Sequence, residues 1–191
     1  MASIKGTQTE KNLLKAFAGE SQARNRYTYA ASIAKKEGYE QIAGVFLETA
    51  DQEKQHAKRF FRFLEGGMLE ITASYPAGVL GTTAQNLKAA ADGEHEEYSL
   101  LYPEFAKIAK EEGFPQVAAQ FNTVSVAERN HEKRYRLLLE NLEKGLVFKK
   151  EQTIKWKCRE CGYIHEGADA PKVCPCCDHP QAFFEKLSEE Y

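Results

Sequence analysis

The sequence predicts a mainly α-helical protein: a four-helix bundle with one long crossover connection, followed by a small C-terminal domain built around cysteines. Three observations lead to this prediction. Long segments carry apolar residues at helical spacing. Two of them match each other, IAKKEGYEQIAGVF beginning at Ile33 and IAKEEGFPQVAAQF beginning at Ile108. Two Cys-x-x-Cys pairs follow the last helical pattern.

Composition and charge exclude several classes of partner. The chain has 191 residues, 28% of them charged, and a formal net charge of −2. No basic surface for nucleic acid or acidic lipid is therefore expected. The first residues contain no apolar run like that of a signal peptide, and no later segment is apolar enough to cross a bilayer. We expect a cytoplasmic protein with no nucleic-acid and no membrane partner.

The first half of the chain is predicted to form two helices. Residues 7–10 have the Thr-x-x-Glu spacing of a capping box, so the first helix begins there. It is expected to end at about Gly38, since glycine commonly ends helices in the left-handed conformation. A second helix is predicted over residues 39–64. Residues 67–82 contain proline and glycine without a sustained period and are predicted to be the long connection.

The second half repeats the helical hairpin. Helices are predicted over residues 83–112 and 115–144, and Pro115 suits the first turn of the second of these helices. Two repeated hairpins joined by a long crossover give the ferritin-like version of a four-helix bundle. Residues 1–146 are therefore predicted to be the bundle domain.

One irregularity is predicted inside the third helix. Glu20 and its counterpart Glu94 are one residue closer together in the sequence than the other pairs of equivalent residues in the repeat. One extra residue must therefore lie between Glu94 and Ile108. Single insertions in helices take the form of π-bulges, often at functional sites. Pro103, in the same stretch, also needs a local break in the hydrogen-bond ladder.

Acidic and imidazole side chains recur at equivalent positions of the repeat. Two Glu-x-x-His pairs are related by the same offset as the repeated segments, and each pair shares one helix face. A single such pair usually belongs to a solvated face, but its repetition favours a metal site. Seven such groups are too costly to bury without cations, and they suit a pair of iron or manganese ions. The predicted inward-facing set is Glu20, Glu53, His56, Glu94, Glu97, Glu128 and His131.

Two tyrosines also correspond in the repeat. Tyr27 and Tyr102 are related by its main offset, and they follow Glu20 and Glu94 by about two helical turns. The pattern leaves two interpretations open. They are either core aromatic residues or hydrogen-bond donors to the metal ligands.

The C-terminal residues 155–191 are predicted to form a small metal-ribbon domain, joined to the bundle by a linker of residues 147–154. A domain of this size has too little core to fold without its ion. The spacing does not distinguish a structural zinc from an electron-carrying iron. A fifth thiol, Cys176, is either free or a competing ligand. The four predicted ligands are Cys158, Cys161, Cys174 and Cys177.

The sequence of this tail, Cys-x-x-Cys-Gly-Tyr followed by Cys-Pro-x-Cys, resembles rubredoxin. The bundle pattern, and the order of bundle and tail, resemble the rubrerythrins across essentially the whole chain. Two departures are visible. Cys176 stands where a non-thiol is usual, and Asp178 stands where rubredoxins commonly have glycine.

The resemblance implies a function for both metal sites. It implies a non-haem di-iron peroxidase that reduces hydrogen peroxide to water and protects against oxidative stress, with a mononuclear iron in the four cysteine thiolates as electron relay. The matching residues imply that His56 and Glu97 exchange as ligands on reduction, and that Tyr27 and Tyr102 lie near the site. Electrons would come from NADH through a partner reductase or rubredoxin.

A head-to-tail homodimer is also expected. His131 lies about 14 residues before the predicted end of its helix, which places the tail roughly 20 Å from its own cluster. A partner chain's tail could lie closer, and helix exchange through residues 67–82 stays open. The alternative function is a ferroxidase or iron-storage protein whose tail is a structural zinc ribbon.

Overall fold

The computed structural model describes residues 3–189; the outermost residues of the two predicted domains, 1–2 and 190–191, lie outside the described part. It confirms a ferritin-like helical bundle followed by a small domain with a three-stranded sheet. The α-helices are α1 Gln8–Lys36, α2 Glu40–Phe61, α3 Thr83–Glu96, α4 Tyr102–Glu111 and α5 Pro115–Glu143. The strands are β1 Lys149–Cys158, β2 Ile164–Asp169 and β3 Phe184–Lys186, in the antiparallel order β2-β1-β3.

The start of α1 forms half of the predicted capping box. The Thr7 hydroxyl accepts the backbone N–H of Glu10 at 3.1 Å. The Glu10 carboxylate accepts the N–H of Gly6 at 2.8 Å, and not that of Thr7. At the other end, Gly38 has φ +83°, the left-handed conformation expected of a glycine that ends a helix.

The predicted irregularity in the third helix is confirmed as a π-helical turn. This turn, Glu97–Leu101, separates α3 from α4. The backbone N–H of Tyr102 donates to the carbonyl of Glu97, five residues earlier. The wider turn absorbs one extra residue, so that Glu94 and Tyr102 both point into the bundle and are buried.

Two apolar cores lie on either side of a buried polar layer in the bundle. One core contains Tyr27, Phe46 and Tyr135, and the other contains Phe60 and Phe121. Each helix contributes to these cores with a stripe of apolar residues at helical spacing. The buried carboxylates of the predicted metal set lie between them, so apolar packing closes the layer at both ends.

The C-terminal domain has a core of its own around Trp156. This side chain is fully buried beside Phe184, and its indole N–H donates to the carbonyl of Gly167 at 3.0 Å. The predicted linker of residues 147–154 needs a correction, because Lys149 and Ile154 pair with β2. Because they pair with β2, residues 149–154 belong to β1, and only the first two residues of the predicted linker precede the strand.

The domain docks against the start of α2 of its own chain. The Arg159 guanidinium occupies the space that a side chain at Gly44 would fill. The rings of Tyr39 and Phe148 stack in parallel with their centroids 6.0 Å apart. The glycine therefore allows the close approach of the two domains.

Candidate metal centres

The bundle brings six of the seven predicted side chains into two overlapping sets of four. In each set, one ligand atom from every residue lies within 4.8 Å of all the others. Glu53 and Glu128 belong to both sets, as expected of carboxylates that bridge two ions. One set is completed by Glu20 and His56, and the other by Glu94 and His131.

His131 has the orientation of a metal ligand. Its Nδ1 lies 2.8 Å from Glu128 Oε2, 3.1 Å from Glu53 Oε1 and 3.4 Å from Glu94 Oε2. This Nδ1 nevertheless has no partner with hydrogen-bond geometry among the described residues. Its Nε2 contacts Gln52 Oε1 at 2.9 Å, a contact that fixes the ring and suits a proton on Nε2. The Nδ1 lone pair is then free to bind a metal.

Gln52 contacts a predicted metal ligand, His131, and sequence reasoning did not identify it. It lies one turn before His56 on α2, and it crosses to a histidine on α5. The repeat gives no signal for it, because a glutamine one turn from a ligand is common on solvated helix faces. Only the packing of α2 against α5 reveals the contact.

His56 occupies the corresponding place in the first set. Its Nδ1 lies 2.8 Å from Glu53 Oε2, 2.9 Å from Glu128 Oε1 and 3.8 Å from Glu20 Oε2. Glu97 belongs to neither set of four. Its carboxylate lies beside Gly19, with Oε1 4.0 Å from the point where a β-carbon on that glycine would be. Glu97 is therefore near the cluster, where desolvation and then Glu20 and Glu94 raise its pKa, but it is outside both donor sets in this conformation.

The two tyrosines contact the carboxylates directly. The Tyr102 hydroxyl donates to Glu20 Oε1 at 2.5 Å, and the Tyr27 hydroxyl donates to Glu94 Oε1. Burial, and then the neighbouring carboxylates, raise the pKa of both phenols well above their usual range. Both hydroxyls therefore keep their protons and act as donors. Both rings also belong to the apolar cores, so the two interpretations of the sequence apply together.

The buried carboxylates cannot all carry their charges in the protein alone. Burial and the neighbouring carboxylates raise the pKa of Glu20, Glu94 and Glu97 well above the usual range. Burial also opposes ionisation of Glu53, but contacts to His131 and His56 outweigh it and lower the pKa of Glu53 to about 2. Burial disfavours a charged His131, yet Glu128 and Glu53 outweigh it and raise the pKa of His131 to about 12. The cluster therefore requires cations, either protons or metal ions.

The donor set fits two transition-metal ions. Carboxylate oxygens of Glu20, Glu53, Glu94 and Glu128 are buried without a hydrogen-bond partner in the described part of the chain. Such atoms are costly unless something else satisfies them. Bridging carboxylates with one imidazole per ion match the ligand preferences of iron and manganese.

The metal-free protein is expected to lose stability as the pH rises from 5 to 8. Below about pH 4.3, the ordinary pKa of a glutamate, each carboxyl with a raised pKa makes its full contribution to stability. This contribution is lost as the pH rises through the raised pKa that the carboxyl has in the folded protein. The raised pKa of His131 acts in the same direction above about pH 6.5. Glu53, with its lowered pKa, loses its contribution only on acidification towards pH 2. Melting temperatures of the chelated protein across this range, with the metal-loaded protein as control, check the trend. A melting temperature of the metal-free protein that rises with pH would contradict it.

The four predicted cysteines of the tail also converge on one point. Their sulfur atoms all lie within 4.8 Å of one another. The Cys158–Cys177 sulfurs are 3.8 Å apart, and the Cys161–Cys174 sulfurs are 3.7 Å apart. A tetrahedral ion with metal–sulfur bonds of about 2.3 Å places its sulfurs about 3.8 Å apart. The spacing is therefore that of a tetrathiolate site.

Cys176 and Asp178 lie at the edge of this site. Cys176 is exposed and does not belong to the set of four. Asp178 has φ +57°, the left-handed conformation that favours glycine, and its N–H donates to the carbonyl of Cys174 at 3.0 Å. Aspartate tolerates this conformation better than most residues, which explains how it replaces glycine in the turn.

Comparisons with known proteins match both domains. A family model described as Rubrerythrin matches residues 11–139, and one described as Rubrerythrin, rubredoxin-like domain, matches residues 156–185. The rubrerythrin of Porphyromonas gingivalis is 63% identical, over 99% of this chain and 94% of that protein. That of Nitratidesulfovibrio vulgaris is 57% identical over 98% of both. The solved structure of fully reduced, all-ferrous nigerythrin superposes with a TM-score of 0.64 at 31% identity, over 96% of this chain and 91% of that one. Within residues 3–189, none of the helices has an apolar stretch long enough to cross a membrane.

Proposed function

The chain belongs to the rubrerythrin family, and on this premise we propose that it is a non-haem peroxidase that reduces hydrogen peroxide to water. The observation that carries the proposal is the convergence of two buried four-residue donor sets in the same chain as a tetrathiolate site. The first can hold the reacting metals, and the second can deliver electrons. We expect this activity to serve protection against oxidative stress in the cytoplasm.

We propose the following ligands for the di-iron centre. Glu53 and Glu128, which belong to both donor sets, would hold both ions; Glu94 and His131 would complete one site, and Glu20 would complete the other together with His56 or Glu97. When bound, two ferrous ions supply the electrons that break the O–O bond and polarise the bound peroxide. His56 lies inside its set and Glu97 lies outside it in this conformation, an arrangement that supports an exchange of these two ligands.

The two tyrosines restrain the carboxylates that they contact. Tyr102 fixes Glu20 from α4, and Tyr27 fixes Glu94 from α1, each through a buried hydroxyl. Both keep a proton available at the edge of the cluster. The half-buried Glu97, whose pKa is raised by desolvation and by Glu20, is a further source of protons for the departing water.

Replacing Tyr102 with phenylalanine is expected to lower peroxide turnover by about tenfold to 100-fold, the usual effect of losing a hydrogen bond to a metal ligand. The ring remains to fill the core, so the iron content and melting temperature should stay near those of the parent. Steady-state kinetics and metal analysis on the same preparation measure both. Full turnover in the variant would show that the hydroxyl has no role.

We propose that the four tail thiolates hold an iron, which would supply electrons to the bundle one at a time. The sequence contains no dinucleotide-binding fingerprint, so an NADH-linked reductase or rubredoxin must supply them. The tail docks on its own chain at Gly44. Gly44 precedes Glu53 by nine residues, which is about 14 Å along α2. Since electron transfer weakens steeply with distance, we propose a head-to-tail homodimer in which the tail serves the partner's bundle.

Turnover with hydrogen peroxide, compared with dioxygen and ferrous iron, tests the proposal. A peroxidase consumes NADH with peroxide through the reductase and retains its iron. A ferroxidase instead oxidises added ferrous iron with dioxygen, and a chain with a colourless zinc tail would support that alternative. Peroxide turnover no faster than dioxygen consumption would overturn the proposed activity.

A further inference from the structure

A cavity of about 500 Å³ opens beside the proposed di-iron centre. It lies between α1 and the π-helical turn, and residues 73–76 of the crossover form its outer wall. Glu97 and Tyr102 are in its inner wall. Tyr102 donates to Glu20, and Gly19, the residue before Glu20, also lines the cavity, so the inner end of the cavity adjoins the cluster on the side of Glu20.

Tyr75 holds the crossover over this cavity. It is the only residue from 72 to 80 that is not exposed. Its hydroxyl donates to the backbone carbonyl of Lys15 on α1 at 2.8 Å. Its ring lies 3.6 Å from the point where a β-carbon on Gly19 would be, and Glu97 Oε1 lies 4.0 Å from that point. The tyrosine ring and the Glu97 carboxylate therefore border the same narrow passage at Gly19.

The cavity contains a buried polar group without a partner. Asn12 is 1% exposed and lines the cavity. Its Oδ1 accepts a hydrogen bond from Gln8 at 2.9 Å, but its Nδ2 has no partner among residues 3–189. A free amide donor in such a place suits a small molecule that accepts hydrogen bonds. Ala16, Leu101 and Phe105 add apolar surface to the wall, which also contains charged residues such as Lys15, Arg26 and Glu104.

We infer that this cavity is the route by which peroxide reaches the cluster, and that Tyr75 determines specificity by restricting it to small hydroperoxides. The inference rests on the proposed peroxidase function. Hydrogen peroxide is small, and it both donates and accepts hydrogen bonds, as the Asn12 amide and the Glu97 carboxyl require. A hydroperoxide with a bulky organic group would have to displace the Tyr75 ring, which its bond to Lys15 and its contact with α1 oppose.

Substrate selection by Tyr75→Ala tests the inference. We expect the ratio of kcat/KM for cumene hydroperoxide to that for hydrogen peroxide to rise about tenfold or more, the usual gain from relieving one steric restriction in a pocket. Tyr29→Ala is the matched control, because Tyr29 lies on α1, is 53% exposed and does not line this cavity. Its ratio should equal that of the parent. Ser74→Trp adds bulk at an exposed position of the wall and should lower kcat/KM for hydrogen peroxide about tenfold without loss of metal.

A labelling measurement reports on access without any turnover. Ala16→Cys, in a Cys176→Ser background, places a thiol on the cavity wall while bound metal protects the four tail thiolates. Methyl and benzyl methanethiosulfonate then compare a small with a bulky reagent on the metal-loaded full chain. Adding Tyr75→Ala should raise the benzyl rate, relative to the methyl rate, about tenfold, and Tyr29→Ala should not change it.

The two readouts separate the possible failures. If the parent reduces hydrogen peroxide but Tyr75→Ala changes neither the substrate ratio nor the labelling ratio, the inference is overturned and the proposed function stands. A change in labelling without a change in substrate ratio also overturns it, because Tyr75 would then control access to a cavity that the substrate does not use. A parent chain that reduces no peroxide overturns the proposed function, and the inference about the route of peroxide then fails as well.

Discussion

Replacing Glu53 with glutamine is expected to remove the iron from the bundle and to lower peroxide reduction by at least about 100-fold. Glu53 is fully buried and belongs to both sets of four donors, so one substitution affects both ions. The amide keeps the size of the side chain but loses the charge and one of the two ligating oxygens. Iron analysis should fall from about three ions per chain to about one, the ion of the tail.

Asp51→Asn is the matched control for this substitution. Asp51 lies two residues earlier on α2, and its side chain is exposed. The same loss of one carboxylate charge there should leave iron content and turnover unchanged. If Glu53→Gln retained three ions per chain and full activity, the bridging role of this carboxylate would be excluded.

Replacing Cys174 with serine is expected to abolish the visible colour of the tail and to unfold it. A ferric tetrathiolate absorbs visible light, and a domain with so small a core depends on its ion. Turnover driven by NADH through the reductase should then disappear, while the bundle keeps its two ions. Cys176→Ser should keep both colour and turnover, since the Cys176 sulfur is outside the set of four. Colour retained in Cys174→Ser and lost in Cys176→Ser would reverse the ligand assignment.

Mixing the two inactive variants tests the proposed head-to-tail dimer. A chain with Glu53→Gln keeps its tail, and a chain with Cys174→Ser keeps its bundle. If each tail serves the partner's bundle, mixed dimers formed after subunit exchange should recover part of the NADH-linked activity. If each tail serves its own bundle, the mixture should stay inactive, because neither chain then has both working centres.

The sequence was sufficient to predict the candidate metal sites because most of the candidate ligands recur at repeated spacings. The Glu-x-x-His pairs and the shifted offset between Glu20 and Glu94 follow directly from a duplicated hairpin. The same offset predicted the π-helical turn at Glu97–Leu101, since one inserted residue must be absorbed to keep ligands on one face. Local spacing on a helix carries this information, and no tertiary contact is needed to read it.

The sequence was less informative where a position depends on contacts between distant segments. Residues 149–154 read as a linker because the strand they form is stabilised by pairing with β2, not by a local pattern. The contact between Gln52 and His131 depends on α5 lying opposite α2. Glu97 and His56 were predicted together, but only the rotamers and packing around Gly19 place His56 in the donor set and Glu97 outside it.

By itself, the sequence determined the helical repeat, the identity of the candidate ligands and the presence of a second site with four thiolates. Tertiary structure alone decided which carboxylates belong to both donor sets, which of them the tyrosines contact, and where a cavity lies beside the cluster under Tyr75. The physical reason is the difference in sequence separation between the residues that determine each feature. Helix phase fixes which side chains face inward within one segment, whereas distances between segments depend on packing that brings together residues far apart in the chain.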